Sequence, residues 1–143
     1  MASYASTINV AASPEEAFEF LRDPANRAEW DPSVRHVTPI DHAAARVGDR
    51  YEVTVGFYGK AIDAVYEIAE LEAPDRIVFS TDGKVKGRDV IEITPRDGGA
   101  SITLDLRVQM KGAARLLDRG LQVAFAGIGE NAANAMKARL DRV

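Results

Sequence analysis

Hydrophobic positions recur along this chain with two different periods, and each change of period marks the border of an element. Tyr4 to Val10 alternates, with Ile8 and Val10 on one face, and predicts a first strand. The alternation stops at Ala11-Ala12-Ser13-Pro14-Glu15-Glu16. Ser13 is the expected N-cap there, Pro14 suits the first helical position, and Glu16 closes a capping box. The helix that follows directs Ala17, Phe18, Phe20 and Leu21 toward the core. Asp23-Pro24 ends it and opens a second short helix, capped by Asp23 and running to Trp30, which Asp31-Pro32 stops.

Beyond Trp30 the period is two. Val34 to Ile40 predicts an edge strand with Pro39 near its end, and His42 to Asp49 predicts a loop. Arg50 to Phe57 alternates Tyr51, Val53, Val55 and Phe57 against Glu52, Thr54 and Gly56, the pattern of a half-buried strand. Ala61 to Glu70 sets Ile62, Ala64, Tyr66 and Ile68 against Asp63 and Glu67. Arg76 to Ser80, Val85 to Pro95 and Ser101 to Met110 complete six strands in succession. Gly56-Phe57-Tyr58-Gly59, Ala73-Pro74-Asp75, Asp82-Gly83 and Arg96-Asp97-Gly98-Gly99 supply the turns, so an antiparallel meander is expected.

From Ala113 to Val143 the helical period returns. Leu117, Leu121, Phe125, Ile128, Ala132, Met136 and Leu140 form one apolar stripe. At about 1.5 Å per residue this helix spans roughly 45 Å and must lie across the sheet. Gly120, Gly127 and Gly129 weaken it by about 1 kcal/mol each and predict a bend or a close backbone contact near Gly127. The expected fold class is α+β. A curved antiparallel sheet of about seven strands wraps a long C-terminal helix, with two short helices after the first strand. One domain is expected to take up residues 1–143.

Composition narrows the options without altering this picture. A chain of 143 residues buries roughly 70% of its unfolded surface, enough for a real core. Cysteine is absent, which removes disulfides, thiolate nucleophiles and cysteine metal sites, and fits a cytoplasmic address. A net charge of −4 speaks against a general nucleic-acid binder. No run approaches the roughly 20 apolar residues of a membrane span, and Met1-Ala2-Ser3-Tyr4 opens no signal peptide. A cytoplasmic protein without nucleic-acid or membrane partners is the expectation. A homodimer is compatible with the sequence and not required by it.

Several stretches resemble one family beyond the order of elements. They include Ala12-Ser13-Pro14-Glu15-Glu16-Ala17-Phe18 at the first helix, and Leu21-Arg22-Asp23-Pro24 through Trp30-Asp31-Pro32 at the second. Val47-Gly48-Asp49-Arg50-Tyr51, Pro74-Asp75-Arg76-Ile77-Val78-Phe79, Asp97-Gly98-Gly99-Ala100-Ser101-Ile102 and Lys111-Gly112 continue the match. Together they resemble the START-like, or SRPBCC, superfamily, which takes in polyketide cyclase/dehydrase-like proteins, lipid-transfer domains and birch-pollen allergen relatives. The resemblance implies the helix-grip fold and a cavity between sheet and helix that accepts hydrophobic compounds. One such fold hosts carriers, receptors and enzymes, so it does not fix a function.

Alternation puts Tyr51, Val53, Val55, Tyr66, Ile91, Leu104 and Leu106 on the concave face, and the long helix adds Leu121, Phe125 and Ile128. With Phe79, Asp89 and Trp30 these are the candidate ligand-binding residues; a solid core is the competing account of the same pattern. Ala64, Ala124, Ala132 and Ala135 leave space that larger residues would fill. The Tyr51 and Tyr66 hydroxyls would donate to a ligand carbonyl or cap a backbone group. Asp89 shares parity with Ile91 and Ile93: inward it would be a buried base of raised pKa, whereas its place near the strand's end favours the exposed rim. Trp30 would stack on a ligand or plug the junction between the short helices and the sheet.

Other motifs carry less. His36 and His42 lack a third ligand at metal spacing, and no nucleophile elbow is present, so neither metal nor cofactor is expected. Gly127-Ile128-Gly129-Glu130-Asn131-Ala132 matches a dinucleotide fingerprint by letter but lies inside a helical stripe with no preceding strand. Lys111, Arg115 and Arg119 lie four apart on one face, as a solvated face or a contact for an anionic partner. The first functional expectation is a binder of a small hydrophobic molecule, aromatic, polyketide-like or lipid-like. A polyketide aromatase/cyclase-like enzyme comes second and a protein-interaction module third, with no catalytic residue assigned.

Overall fold

The computed structural model describes residues 1–41, 44–57, 59–111 and 118–142. Seven strands form one sheet: β1 (Ala2–Val10), β2 (Val34–Pro39), β3 (Arg50–Phe57), β4 (Lys60–Glu72), β5 (Arg76–Gly83), β6 (Val85–Arg96) and β7 (Gly99–Met110). Their spatial order is β1-β7-β6-β5-β4-β3-β2, with every pair antiparallel. Strands β2 to β7 thus pair in sequence as their tight turns dictate, and β1 returns to the free side of β7. A register shift between Ile68 and Glu70, where β4 meets β5, adds a residue to one strand and bends the sheet locally. Helices α1 (Pro14–Leu21), α2 (Arg27–Trp30) and α3 (Asp118–Leu140) lie against the sheet.

The start of α1 follows from its capping box. Ser13 Oγ accepts from the Glu16 N–H at 3.1 Å, and the Glu16 carboxylate accepts from the Ser13 N–H at 3.1 Å. Ala17, Phe18 and Leu21 are buried, and the Arg139 guanidinium lies 4.4 Å above the Phe20 ring. The second helix departs from expectation. Asp23 does cap it, accepting from the Ala25 N–H at 2.9 Å. Its first turn, Pro24–Asn26, is nevertheless a 3₁₀ turn, leaving one α turn for α2. Strand β5 outlasts the predicted Ser80 because Thr81 still pairs with Gly87 and Gly83 with Ala64. The expected start of the long helix at Ala113 falls outside the described residues.

The core fills one end of the concave face. Ile68, Ile77, Ile91, Ile93, Ile102 and Leu104 from the sheet meet Phe18 and Leu21 of α1 and Ala132, Met136 and Leu140 of α3. The C-terminal end of α3 is fastened there. The Ala12 N–H donates to the Leu140 carbonyl at 3.0 Å, and Lys137 Nζ donates to the Asn9 carbonyl at 2.6 Å.

Along its other half α3 lies beside edge strand β1, where the Gln122 amide behaves like a neighbouring strand. Its Oε1 accepts from the Ser3 N–H and its Nε2 donates to the Ser3 carbonyl, both at 3.0 Å. The close contact expected at Gly127 occurs two residues on. Gly129 is buried against the Tyr4 ring, and a Cβ there would overlap ring carbons, whereas nothing lies within 4 Å of a Cβ at Gly127. Gly127 lies on the exposed face of α3, which leaves the contact to Gly129.

These two glycines make opposite predictions. Gly129→Ala should destabilise by about 1–3 kcal/mol through overpacking, whereas Gly127→Ala should stabilise by about 0.5–1 kcal/mol through helix propensity. Urea unfolding of both variants checks the pair; equal effects would contradict the close approach.

Candidate ligand-binding cavity

Toward the other end of the concave face the packing opens. A cavity of about 80 Å³ lies between the strands and the first half of α3. Its apolar wall, among the described residues, is Val55, Ile62, Ala64, Val85, Leu106, Val108, Met110, Leu121, Phe125 and Ile128. Its polar groups are Arg27, Asp31, Ser33, Tyr66, Thr81 and Asp89, with Gly87 and Arg107 beside them. Ser33 and Ile128 also border an open groove of about 530 Å³, whose other described walls are Pro32, Arg35, Gly56, Gly59, Ala124 and Asn131. Arg35 lies across Gly56, where a Cβ would come within 2.9 Å of its Nε. The cavity alone is smaller than the ~150 Å³ known to take benzene; the groove that shares Ser33 and Ile128 with it falls within the ~300–1,000 Å³ of small-molecule sites.

The predicted residues divide between this cavity and the core behind it. Val55, Tyr66, Asp89, Leu106, Leu121, Phe125 and Ile128 line it. Trp30, Tyr51, Val53, Phe79, Ile91 and Leu104 are buried in the core cluster and reach neither hollow. Tyr51 shows why. Its hydroxyl accepts from the Ala45 N–H at 3.1 Å, so it caps the backbone beside β3. Trp30 plugs the junction of α2 with the sheet, fully buried. Of the four alanines expected to leave room, Ala64 lines the cavity and Ala124 the groove, whereas Ala132 is packed in the core.

Arg27 organises the polar end. Projecting from the single turn of α2, it is only 4% exposed. Its Nε donates to Asp31 Oδ2 at 3.2 Å, an i,i+4 pair. Its Nη2 lies 2.7 Å from Asp89 Oδ2 on β6. Nη1 is buried without a hydrogen-bond partner. Aromatic rings surround the guanidinium carbon: Trp30 at 4.5 Å, Tyr66 at 5.0 Å and Phe79 at 5.8 Å to the centroids. Asp31 is held in turn by Ser33, whose N–H and hydroxyl donate to Oδ1 at 3.1 and 2.6 Å.

Asp89 therefore stands inside, 6% exposed, and the rim position expected for it is corrected. A carboxylate is tolerated there because a guanidinium from α2 meets it. Burial pushes the Asp89 carboxyl above its ordinary value, and the Arg27 charge pulls the other way. Burial likewise raises the Tyr66 phenol to about 12, opposed by Arg27 and by a hydrogen bond with Thr81, so Tyr66 stays a neutral hydroxyl near pH 7. Burial works against the Arg27 charge, but Asp89 and Asp31 beside it outweigh that and hold its proton tightly. One cation thus serves two carboxylates.

Arg27 and Asp31 are not among the ligand-binding residues that the hydrophobic pattern marks. The available signal was the i,i+4 spacing of Arg27 and Asp31 around Trp30, together with the rule that an inward Asp89 needs a cation. Elsewhere, His36 is exposed on β2 and His42 lies outside the described residues. Among the described residues no three His, Cys, Asp or Glu gather as for a metal ion. Lys111 Nζ pairs with Asp82 at 2.6 Å; Arg115 and the Arg119 side chain lie outside the described part. No helix among the described residues is long and apolar enough to cross a membrane.

A curved sheet gripping a C-terminal helix over a partly hollow interior is the helix-grip, START-like class. The family described as "Polyketide cyclase / dehydrase and lipid transport" matches residues 1–141, and the chain belongs to it. No curated protein resembles the chain closely enough in sequence to count as a relative. Among solved structures, TTHA0849 from Thermus thermophilus superposes with a TM-score of 0.81 at 15% identity, covering 96% of each chain. A START superfamily protein from Mycobacterium smegmatis gives 0.81 at 16% identity, over 98% of this chain and 97% of that one. Protein CV1439 from Chromobacterium violaceum gives 0.69 at 16% identity over 100% of both. Identities this low establish the fold alone.

Removing the shared cation tests the cluster. Arg27→Met should cost about 3–5 kcal/mol near neutral pH, because two carboxylates are left buried without their partner. With a folded pKa raised above 3.8, Asp89 favours the fold below that value and loses the benefit as pH rises through the folded one. The variant raises the folded pKa further, so its deficit in urea unfolding should shrink between pH 8 and pH 5. A pH-independent deficit would contradict the account.

Proposed function

We propose that this protein binds a small hydrophobic molecule, aromatic, polyketide-like or lipid-like, with one end held in the cavity among apolar side chains and beside Arg27, and the remainder in the groove. The observation that carries this reading is a cluster of polar groups around Arg27, comprising Asp31, Ser33, Tyr66, Thr81 and Asp89, in a hollow whose remaining wall is mostly apolar. Burying about 300 Å² of apolar ligand surface supplies roughly 7 kcal/mol. Association costs of about 4 kcal/mol or more subtract from that, which leaves millimolar affinity or weaker from this burial alone. Tighter binding then needs a larger apolar body or the hydrogen bonds of the polar end.

A second reading, a cyclase or dehydrase, is favoured by one further feature. Asp89, a carboxyl of raised proton affinity, and the Tyr66 hydroxyl share the cavity wall beside Arg27. Such a pair suits proton transfer to and from a β-keto chain folded within reach. If it operates, Tyr66→Phe should lower turnover of a poly-β-keto thioester by about 10²-fold or more with binding retained. Unchanged turnover removes Tyr66 from that chemistry.

The binding reading has a direct check. The neutral fluorophore N-phenyl-1-naphthylamine, at about 100 times its Kd, should stabilise the fold by roughly 2.7 kcal/mol, a Tm increase of roughly 5–10 °C. Phe125→Asp should abolish the shift, whereas Val123→Asp, at a position 78% exposed, should preserve it. No shift in the unmodified protein would overturn the proposal.

A further inference from the structure

The arrangement around Arg27 also discriminates between kinds of polar head group. A guanidinium offers five N–H donors and one positive charge. Here the charge is already matched: Asp31 balances it at 3.2 Å, and Asp89 adds a second carboxylate at 2.7 Å. The donors are not all matched. Nη1 is buried without a hydrogen-bond partner, and Arg27 borders a cavity whose uncharged polar groups are the Tyr66 phenol and the Thr81 and Ser33 hydroxyls. The Trp30 ring lies 4.5 Å from the guanidinium carbon and helps fix its orientation. Arg27 therefore lacks an acceptor and does not lack an anion.

Resting on the binding reading above, we infer that the cavity selects a ligand whose buried head is a neutral hydrogen-bond acceptor, a ketone, ester or amide carbonyl, and rejects carboxylate heads. A carbonyl oxygen would take the idle Nη1 donor and bring no net charge into a dry site. A carboxylate would be the third acidic group around one guanidinium. It would lose its hydration and find no unmatched cation inside. The remaining cations on the described walls, Arg107 and Arg35, are both exposed. Arg107 is already paired with Asp105 at 3.2 Å, and Arg35 lines the groove, outside the cavity. Apolar carboxylic acids such as free fatty acids are then poor occupants, whereas neutral aromatic or aliphatic ketones and esters fit.

Three naphthalenes of similar size test this by fluorescence or calorimetric titration at pH 7.5: 2-acetylnaphthalene, 2-naphthoate and 2-ethylnaphthalene. The ketone should bind at least about tenfold more tightly than the carboxylate, and more tightly than the hydrocarbon, which has no acceptor. Asp89→Asn removes one of the two carboxylates with little change of shape and should narrow the ketone-to-carboxylate ratio to about threefold or less. Naphthoate binding as well as the ketone, or ethylnaphthalene doing so, overturns the inference while leaving the binding reading intact. An unchanged ratio in Asp89→Asn overturns the part assigned to Asp89. Failure of all three to bind defeats the binding reading, and the inference falls with it.

Discussion

A guanidinium withdrawn from water is stable only if its charge is met, and in this fold two stretches of chain meet that of Arg27 while one of its donors is left over. The short α2 supplies the arginine, the residues just after it supply Asp31 and Ser33, and β6 supplies Asp89 from the middle of the sheet. Aromatic faces from α2, β4 and β5 close around the cation. A one-turn helix has little stability of its own. It is ordered because its side chains lock into the sheet, and the cavity inherits its polar end from that lock. Replacing such a cluster by hydrocarbon often leaves a protein as stable or more so, so stability alone does not account for it. What it provides is one oriented donor in an oily surrounding.

The same sheet face serves two purposes because register assigns them to different ends. On β6, Ile91 and Ile93 enter the core, and Asp89, two residues earlier on the same face, enters the cavity wall. On β7, Leu104 belongs to the core whereas Leu106 and Val108 belong to the wall. The alternation is unbroken; what changes is the covering layer. Helix α1 and the later half of α3 press on one end, while Leu121, Phe125 and Ile128 stand over the other.

This division also explains what was legible in the sequence. Strands, turns, the capping box of α1 and the stripe of α3 are local patterns, and the seven-stranded grip fold follows from them. Parity tells which face a residue occupies but not how far along the sheet a helix will cover it. Tyr51 and Tyr66 have the same parity and are register partners, yet one lies under the loop at Ala45 and the other borders the cavity. Asp89 was misplaced at the rim because its partner comes from a distant segment. Arg27 sits in an element too short to display any period, so its burial has no local signature.

Gly129 carries a consequence beyond its own packing. By admitting the Tyr4 ring against bare backbone it sets the spacing between α3 and β1, and its neighbour Ile128 borders both cavity and groove. The height of the hollow is therefore governed by a residue that does not line it. A bulkier side chain there would stand the helix farther from the strand, so the capacity of the hollow can change while every residue on its wall stays the same.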